Sequence, residues 1–128
     1  MNSKYRVTAA LAGAVGLCAV VSTLNAQTKT PVYAVIDISE AMDADAYVKA
    51  VSAAEPKATQ SAGGRFMIRA NKPIALDGGA PPNRFVMIAF DNEEQAKAWY
   101  NSQAIKDVNA VRMKVTRSRA FLVEGLAN

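Results

Sequence analysis

The chain contains no histidine and only one cysteine among its 128 residues. A protein without histidine has no histidine-based triad, no His-ligated haem and no zinc site of the usual mixed-ligand kind. A single cysteine forms neither an internal disulfide nor a cysteine-rich metal site. We therefore expect no metal and no cofactor, so that any chemistry must come from arginine, tyrosine or carboxylates.

The N-terminus has the composition of a targeting segment. Lys4 and Arg6 precede Val7–Leu24, which carries no charge, and the small residue Ala26 follows at a plausible cleavage position. This order is typical of a secretory signal peptide. We predict a signal peptide at 1–26 and a single domain at 27–128. The alternatives are an uncleaved anchor, because 18 apolar residues can just span a bilayer, and lipid attachment at Cys18.

Cleavage changes the properties of the chain. Removing 26 residues, Lys4 and Arg6 among them, leaves 102 residues and lowers the formal charge from +4 to +2. The mature chain then has no thiol, which suits an oxidising compartment. We expect an exported protein, periplasmic or secreted, with no stable membrane span after cleavage. A charge this small, spread along the chain, argues against a nucleic-acid partner.

The mature segment has the pattern strand, helix, strand, strand, helix, strand. Asp43 is a candidate N-cap for the first helix, and Gly63-Gly64 suits its end. Pro56 predicts a kink or two short helices, and Asp91 with Glu94 suggests a capping box for the second helical region. The predicted strands span 32–38, 65–70, 84–90 and 114–125, and the predicted helical regions span 43–62 and 91–113. Within the second helical region, Ser102 is predicted to cap a further helical piece. Ile74–Leu76 is predicted to extend the strand pairing.

The first and third strands are apolar at both alternating positions, which predicts that they are central and covered on both faces. The second and fourth strands carry arginine and lysine, as edge strands commonly do. This order predicts an α+β, ferredoxin-like βαββαβ fold, in which a four-stranded antiparallel sheet has two helices on one face. Two helices leave the other apolar face uncovered, so we expect a homodimer with sheet packed against sheet.

The stretch from Tyr33 to Gly125 resembles the domain-of-unknown-function family 1330, within the dimeric α/β-barrel superfamily. The matching segments are Gly63–Phe66, Glu94–Ser102 and Leu122–Gly125, together with Pro56 and Phe90. The resemblance implies a dimeric α/β barrel. It implies no particular activity, because the family has no agreed one.

Three side chains are candidate catalytic residues: Asp37, Arg65 and Tyr100. Arg65 follows two glycines and its guanidinium can hold a carboxylate, enolate or phenolate. Its alternative role is a salt bridge to Asp37 or Glu124. Asp37 is the only charge in its strand and is either a buried general base or an ordinary strand-end carboxylate. Tyr100 either offers its hydroxyl to a pocket or covers the core with its polar end outward.

The candidate ligand-binding residues are Tyr33, Arg65, Trp99, Tyr100 and Glu124, although Trp99 is favoured as a core residue. The basic run of Arg112, Lys114, Arg117 and Arg119 is predicted to be a solvated edge rather than an anion site. Two functions remain. The first is binding of a small organic ligand in a pocket between sheet and helices. The second is a cofactor-independent enzyme, of monooxygenase or isomerase type, that acts through Asp37, Arg65 and Tyr100.

Overall fold

The computed structural model describes residues 29–127. The predicted signal peptide at 1–26, including Cys18, lies outside these residues. The described elements are β1 (Val32–Ala41), α1 (Ala44–Ser61), β2 (Arg65–Ala70), β3 (Arg84–Phe90), α2 (Glu93–Asn101), α3 (Gln103–Val115) and β4 (Thr116–Glu124). None of the described helices is both long and apolar enough to cross a membrane.

The four strands form one antiparallel sheet in the order β2-β3-β1-β4. The predicted ferredoxin-like topology is therefore confirmed, with the two doubly apolar strands β1 and β3 at the centre. The predicted bounds of β2 and β3 match those of the structure, whereas β1 runs three residues further than predicted, to Ala41. After a register shift in the pairing of β1 with β4, Ala41 lies opposite Thr116. The longer β1 therefore brings the start of α1 next to the end of α3.

All three helices pack on one face of the sheet. Alternate residues of the central strands form the core with side chains from each helix, and this core comprises Val32, Ala34, Ile36, Ile38, Val86, Ile88 and Phe90 from the strands and Tyr47, Val51, Ala96, Trp99, Ile105 and Val108 from the helices. The intervening strand residues point to the opposite face, because side chains alternate along a strand. We call this second surface the open face; it is formed by Tyr33, Val35, Asp37, Ile68, Phe85, Met87, Phe121 and Val123.

The second helical region is two helices, as the predicted helical piece after Ser102 indicated, so three helices rather than two cover the sheet. The chain becomes extended at Ser102, where ψ is 149°, and α3 begins at the next residue. The Ser102 hydroxyl does not cap α3; it donates a hydrogen bond to the carbonyl oxygen of Trp99, at 2.7 Å. The hydroxyl therefore stabilises the end of α2.

Asn92, rather than the predicted Asp91, caps α2. The Asn92 Oδ1 atom accepts a hydrogen bond from the Gln95 backbone N–H at 2.8 Å. The Gln95 Oε1 atom accepts one from the backbone N–H of Asp91. The capping pair is thus shifted by one residue, because Gln95 reaches back in place of Glu94.

Pro56 lies inside α1, and the helix continues through it to Ser61. Of the two predicted alternatives, two short helices is therefore wrong, for a physical reason. Pro56 is exposed, so the carbonyl that loses its hydrogen-bond donor can bond to water. The buried stripe of Tyr47, Val51, Glu55 and Thr59 runs along the other side and holds both halves of the helix on the sheet.

The first helix ends at the two glycines, as predicted. Gly63 has a positive φ of 78°, and the backbone N–H of Gly64 donates to the Thr59 carbonyl at 2.9 Å, which is the Schellman arrangement. A Cβ on Gly64 would lie 2.7 Å from Phe90 and 2.8 Å from Thr59. Gly64 is therefore required by close packing as well as by the turn.

The segment 71–83 is irregular and does not add to the sheet. The predicted extension of pairing by Ile74–Leu76 is wrong, since this stretch contains no strand residues. The side chains of Ile74 and Leu76 are 87% and 97% exposed. Gly78 and Gly79 adopt positive φ, which ends any pairing at this point.

Candidate functional site

A groove lies between α2 and the outer half of the sheet, on the helix-covered face. It has a volume of about 220 Å³ and is lined by the strand residues Ala34, Val35, Ile36, Ala120, Phe121 and Leu122 and by the helix residues Lys97, Trp99, Tyr100 and Asn101. Its floor is mostly apolar and its rim carries a phenol, an amine and an amide. We call this the α2–β4 groove.

Trp99 is the fixed wall of the groove. Its side chain is 2% exposed, and its ring centroid lies 5.4 Å from that of Phe90. The indole Nε1–H donates a hydrogen bond to Thr59 Oγ1 at 3.0 Å. The predicted core role of Trp99 is confirmed. Because the buried indole N–H already has its hydrogen-bond acceptor, the ring is held in place as one wall of the groove.

The rim of the α2–β4 groove comes from one turn of α2. Tyr100 is 39% exposed, and its ring centroid lies 6.3 Å from that of Trp99. Lys97 forms an ion pair with Glu93 one turn earlier on the helix. Tyr100 and Lys97 are exposed, so their polar ends can rearrange around a bound molecule.

Asp37 lies on the open face and is an ion-pair partner. It is directly opposite Arg119 of β4 in the sheet register. The Arg119 Nε and Nη2 atoms donate to Asp37 Oδ2 at 3.1 and 3.0 Å. The Asp37 side chain is 17% exposed and that of Arg119 is 74% exposed. The Asp37 carboxylate therefore forms an ion pair with an arginine of the neighbouring strand in the same sheet.

Arg65 lies at the start of β2, on the sheet edge opposite β4. Its nearest carboxylate is that of Asp91, with 3.9 Å between Nη1 and Oδ1, and both side chains are largely exposed. The expected partners of this arginine, Asp37 and Glu124, are wrong. Asp37 is paired with Arg119, and Glu124 lies on the other edge strand.

The remaining two candidates lie on opposite faces. Tyr33 is on the open face, between Ala89 and Val123 in the register, with its ring beside Gly125. Glu124 lines a shallow depression next to the start of α2, close to Leu122 of the groove.

The structure therefore brings together only part of the predicted site. Trp99 and Tyr100 share the α2–β4 groove, and Glu124 lies beyond its end. Tyr33, Asp37 and Arg65 belong to the open face or its edge. Asp37, Arg65 and Tyr100 do not converge on one cavity of a single chain.

A buried polar cluster beneath α1 was not among the predicted sites. Glu55 and Arg112 are each 3% exposed, and Asn109 is 6% exposed. Arg112 donates through Nε to Asn109 Oδ1 at 3.2 Å and through Nη1 to Ser118 Oγ at 2.7 Å. The predicted solvated edge is wrong for Arg112, which points inward from α3. The signal in the sequence was helical spacing: Glu55 is four residues from both Val51 and Thr59 and so shares their buried face.

Burial governs the protonation of this cluster. Removal from water raises the pKa of the Glu55 carboxyl, and Arg69, Arg84 and Arg112 oppose that rise without cancelling it. Burial also raises the pKa of the Tyr47 hydroxyl, with a further contribution from the negative charge of Glu55. Within residues 29–127, no three histidine, cysteine or acidic side chains are grouped so as to hold a metal ion.

The family model for the domain of unknown function DUF1330 matches residues 31–126. The chain belongs to the DUF1330 family. No curated protein matches the chain. Membership agrees with the observed fold and covers every described helix and strand.

Solved structures show the same fold at low sequence identity. A protein of unknown function from Rhodopseudomonas palustris is 11% identical, with a TM-score of 0.61 over 78% of this chain and 85% of that one. A putative antibiotic biosynthesis monooxygenase from Nitrosomonas europaea is 17% identical, with a TM-score of 0.53 over 78% and 93%. A dimeric ferredoxin-like protein of unknown function from Thermobifida fusca is 14% identical, with a TM-score of 0.50 over 74% and 91%. At these identities the likeness establishes the fold alone.

The raised pKa of Glu55 predicts a specific dependence of stability on pH. In the unfolded chain this carboxyl titrates near 4.5, and in the folded chain it titrates at a higher pH. Its favourable contribution is complete below about pH 4.5 and is lost as the pH rises through the folded-state pKa. Glu55→Gln cannot ionise, so the wild type should lose stability relative to this variant between pH 4 and pH 7.5, by about 1.4 kcal/mol for each unit of pKa difference.

Chemical denaturation at the two pH values, followed by the fluorescence of Trp99, measures this effect. Glu94→Gln, which removes an exposed carboxyl from α2, is the matched control for the loss of one acidic group. A stability difference between wild type and Glu55→Gln that is the same at both pH values would contradict the prediction.

Proposed function

We propose that this protein binds a small organic ligand in the α2–β4 groove. The observation that carries the proposal is the combination of an apolar floor, a fixed tryptophan wall and a polar rim in one cavity of about 220 Å³. Sites for small molecules are typically concave and mostly apolar, with a few polar groups that orient the ligand. A molecule with a compact apolar body and one or two oxygen atoms at one end suits this lining.

The rim indicates how such a ligand would be oriented. The Tyr100 hydroxyl can donate or accept a hydrogen bond, and the Asn101 amide can do both. Lys97 adds a positive charge that Glu93 partly neutralises. An enol, a phenol or a carbonyl group would therefore be held at the α2 end of the groove, with its apolar part toward Ala34 and Leu122.

Binding is favoured over cofactor-independent catalysis. An enzyme of that kind needs its acid, base and electrostatic groups around one substrate. Asp37 faces the opposite side of the sheet from Tyr100, and Arg65 lies at the far edge. The Nitrosomonas europaea protein is described as a putative monooxygenase, but its 17% identity gives no reason to transfer that activity.

We also propose that the protein is a homodimer that packs through its open face. Phe121, Val123 and Ile68 on this face are each at least 40% exposed in the single chain. Apolar side chains exposed together on one surface commonly mark a contact surface. The Thermobifida fusca protein with the same fold is described as dimeric. In such a dimer Asp37 and Arg119 would lie within or beside the interface.

We further propose that the protein is exported after removal of its signal peptide. The basic start and uncharged stretch of residues 1–24 support a cleaved signal peptide. The ligand would then be a compound of the periplasm or the extracellular medium.

Tyr100→Phe tests the groove. The variant keeps the ring and removes the hydroxyl, so binding should weaken about 3- to 10-fold, as expected for one lost hydrogen bond. Trp99 is the only tryptophan of the chain, so its fluorescence reports titrations with a panel of quinols and enol lactones. Tyr33→Phe makes the same change on the open face and should bind like the wild type. Equal effects of the two variants would contradict the groove as the binding site.

Phe121→Arg tests the dimer. A charge on the open face should give a monomer, because a stable interface buries about 800 Å² per partner and tolerates no unpaired arginine at its centre. Size-exclusion chromatography with light scattering measures the oligomeric state directly. Met113→Arg places the same charge on exposed α3 and should remain dimeric. A Phe121→Arg protein that stays dimeric would place the interface elsewhere.

The signal peptide is tested by the mass of the exported protein. Expression of the full chain in a bacterium should yield a periplasmic or secreted protein that begins at Gln27, as read by intact mass and N-terminal sequencing. Recovery from the cytoplasm with residues 1–26 still attached would refute export.

A further inference from the structure

A second cavity, separate from the α2–β4 groove, lies at the other end of the helix-covered face. Its volume is about 400 Å³, and it is lined by Ile38, Ala41, Ala44, Tyr47, Val48, Asn71, Asn83 and Arg84. The walls come from the end of β1, the first turns of α1 and the two ends of the irregular segment 71–83. It shares no lining residue with the groove.

Arg84 is the charged group of this cavity. Its Nε atom is fully buried and has no hydrogen-bond partner among residues 29–127. Its guanidinium carbon lies 5.4 Å from the centroid of the Tyr47 ring, which fixes the side chain beside α1. A buried N–H without a partner is costly, so an acceptor brought by a ligand would remove that cost.

The surroundings of Arg84 carry an excess of positive charge. Arg69, Arg84 and Arg112 all act on the single buried carboxyl of Glu55. The ion pairs of the described chain involve other residues, so none of these three arginines has a carboxylate within 4.0 Å among residues 29–127. Arg112 is buried against the neutral groups of Asn109 and Ser118. Arg69 is exposed, Arg84 is half-buried and Arg112 is fully buried. The positive charges of Arg84 and Arg112 are thus partly or wholly removed from water without a paired anion, which favours binding of one.

We propose that this cavity is a binding site for a small organic carboxylate, received by the Arg84 guanidinium. The fork of an arginine matches the two oxygens of a carboxylate. Asn71 and Asn83 at the mouth supply further amide donors. Ile38, Ala41 and Val48 provide an apolar wall for a short aliphatic or aromatic body, which distinguishes the preferred ligand from an inorganic anion.

Benzoate is the probe that tests the site, with benzamide as its uncharged counterpart. Titration of the purified, ¹⁵N-labelled protein followed by NMR should show benzoate shifting the Arg84 Nε–H signal and the side-chain amides of Asn71 and Asn83. Benzoate should bind at least about 10-fold more tightly than benzamide, as expected for a charge-assisted pair. Inorganic phosphate should bind more weakly than benzoate.

Two substitutions of Arg84 separate charge from geometry. Arg84→Gln should weaken benzoate binding at least about 10-fold, and Arg84→Lys, which keeps the charge but lacks the fork, should also weaken it. Arg65→Gln, an exposed arginine on a sheet edge, is the matched control and should bind benzoate like the wild type. If Arg84→Gln does not fold, Arg84→Lys and the comparison of benzoate with benzamide decide the question.

Three results would overturn the assignment. They are equal affinity for benzoate and benzamide, unchanged benzoate binding in the Arg84 variants, and shifts centred on Tyr100 and Asn101 instead of Asn71 and Asn83. Phosphate binding as tightly as benzoate would overturn the organic-acid class. Tyr100→Phe should leave benzoate binding at Arg84 unaffected, so this site and the α2–β4 groove stand or fall separately.

Discussion

One-sided cover of the sheet is the constraint on which the other features depend. The helices α1, α2 and α3 all pack against the same alternate residues of β1 and β3. The remaining alternate residues of these two strands are apolar apart from Asp37, and Phe121, next to them on β4, is 42% exposed. Residues 29–127 supply no further layer on that face. On the covered face the three helices do not fill all of the space above the sheet. They leave one gap at each end, which are the α2–β4 groove and the cavity beside Arg84.

The strand order could be predicted from polarity, because β1 and β3 have apolar residues at both alternating positions and must therefore be covered on both faces. The exact helix boundaries could not, because they depend on competing local hydrogen bonds. Asn92 and Asp91 are both good caps, and the reach of Gln95 decides between them. Pro56 is compatible with an unbroken helix only because it faces solvent while Glu55 and Thr59 face the sheet, which is a property of the packed helix.

The candidate site was only partly predictable for a related reason. Trp99 and Tyr100 are adjacent in α2, a spacing that argues against a shared helix face, yet both line the groove. Whether Asp37 meets Arg65 depends on which face and which edge each occupies, and the register pairs Asp37 with Arg119 instead. Glu55 and Arg112 look like surface charges when counted by composition. Their burial follows from helical spacing and from the way α3 packs on α1.

The hydrogen bond between Trp99 and Thr59 has a thermodynamic consequence. It joins the wall of the groove to the last turn of α1, where Gly64 and Phe90 are packed too closely to admit a methyl group. Opening the groove therefore means loosening the junction of α1, β3 and α2. A molecule that occupies the proposed groove would therefore stabilise this junction as well, and the midpoint of thermal unfolding would rise with the concentration of that molecule.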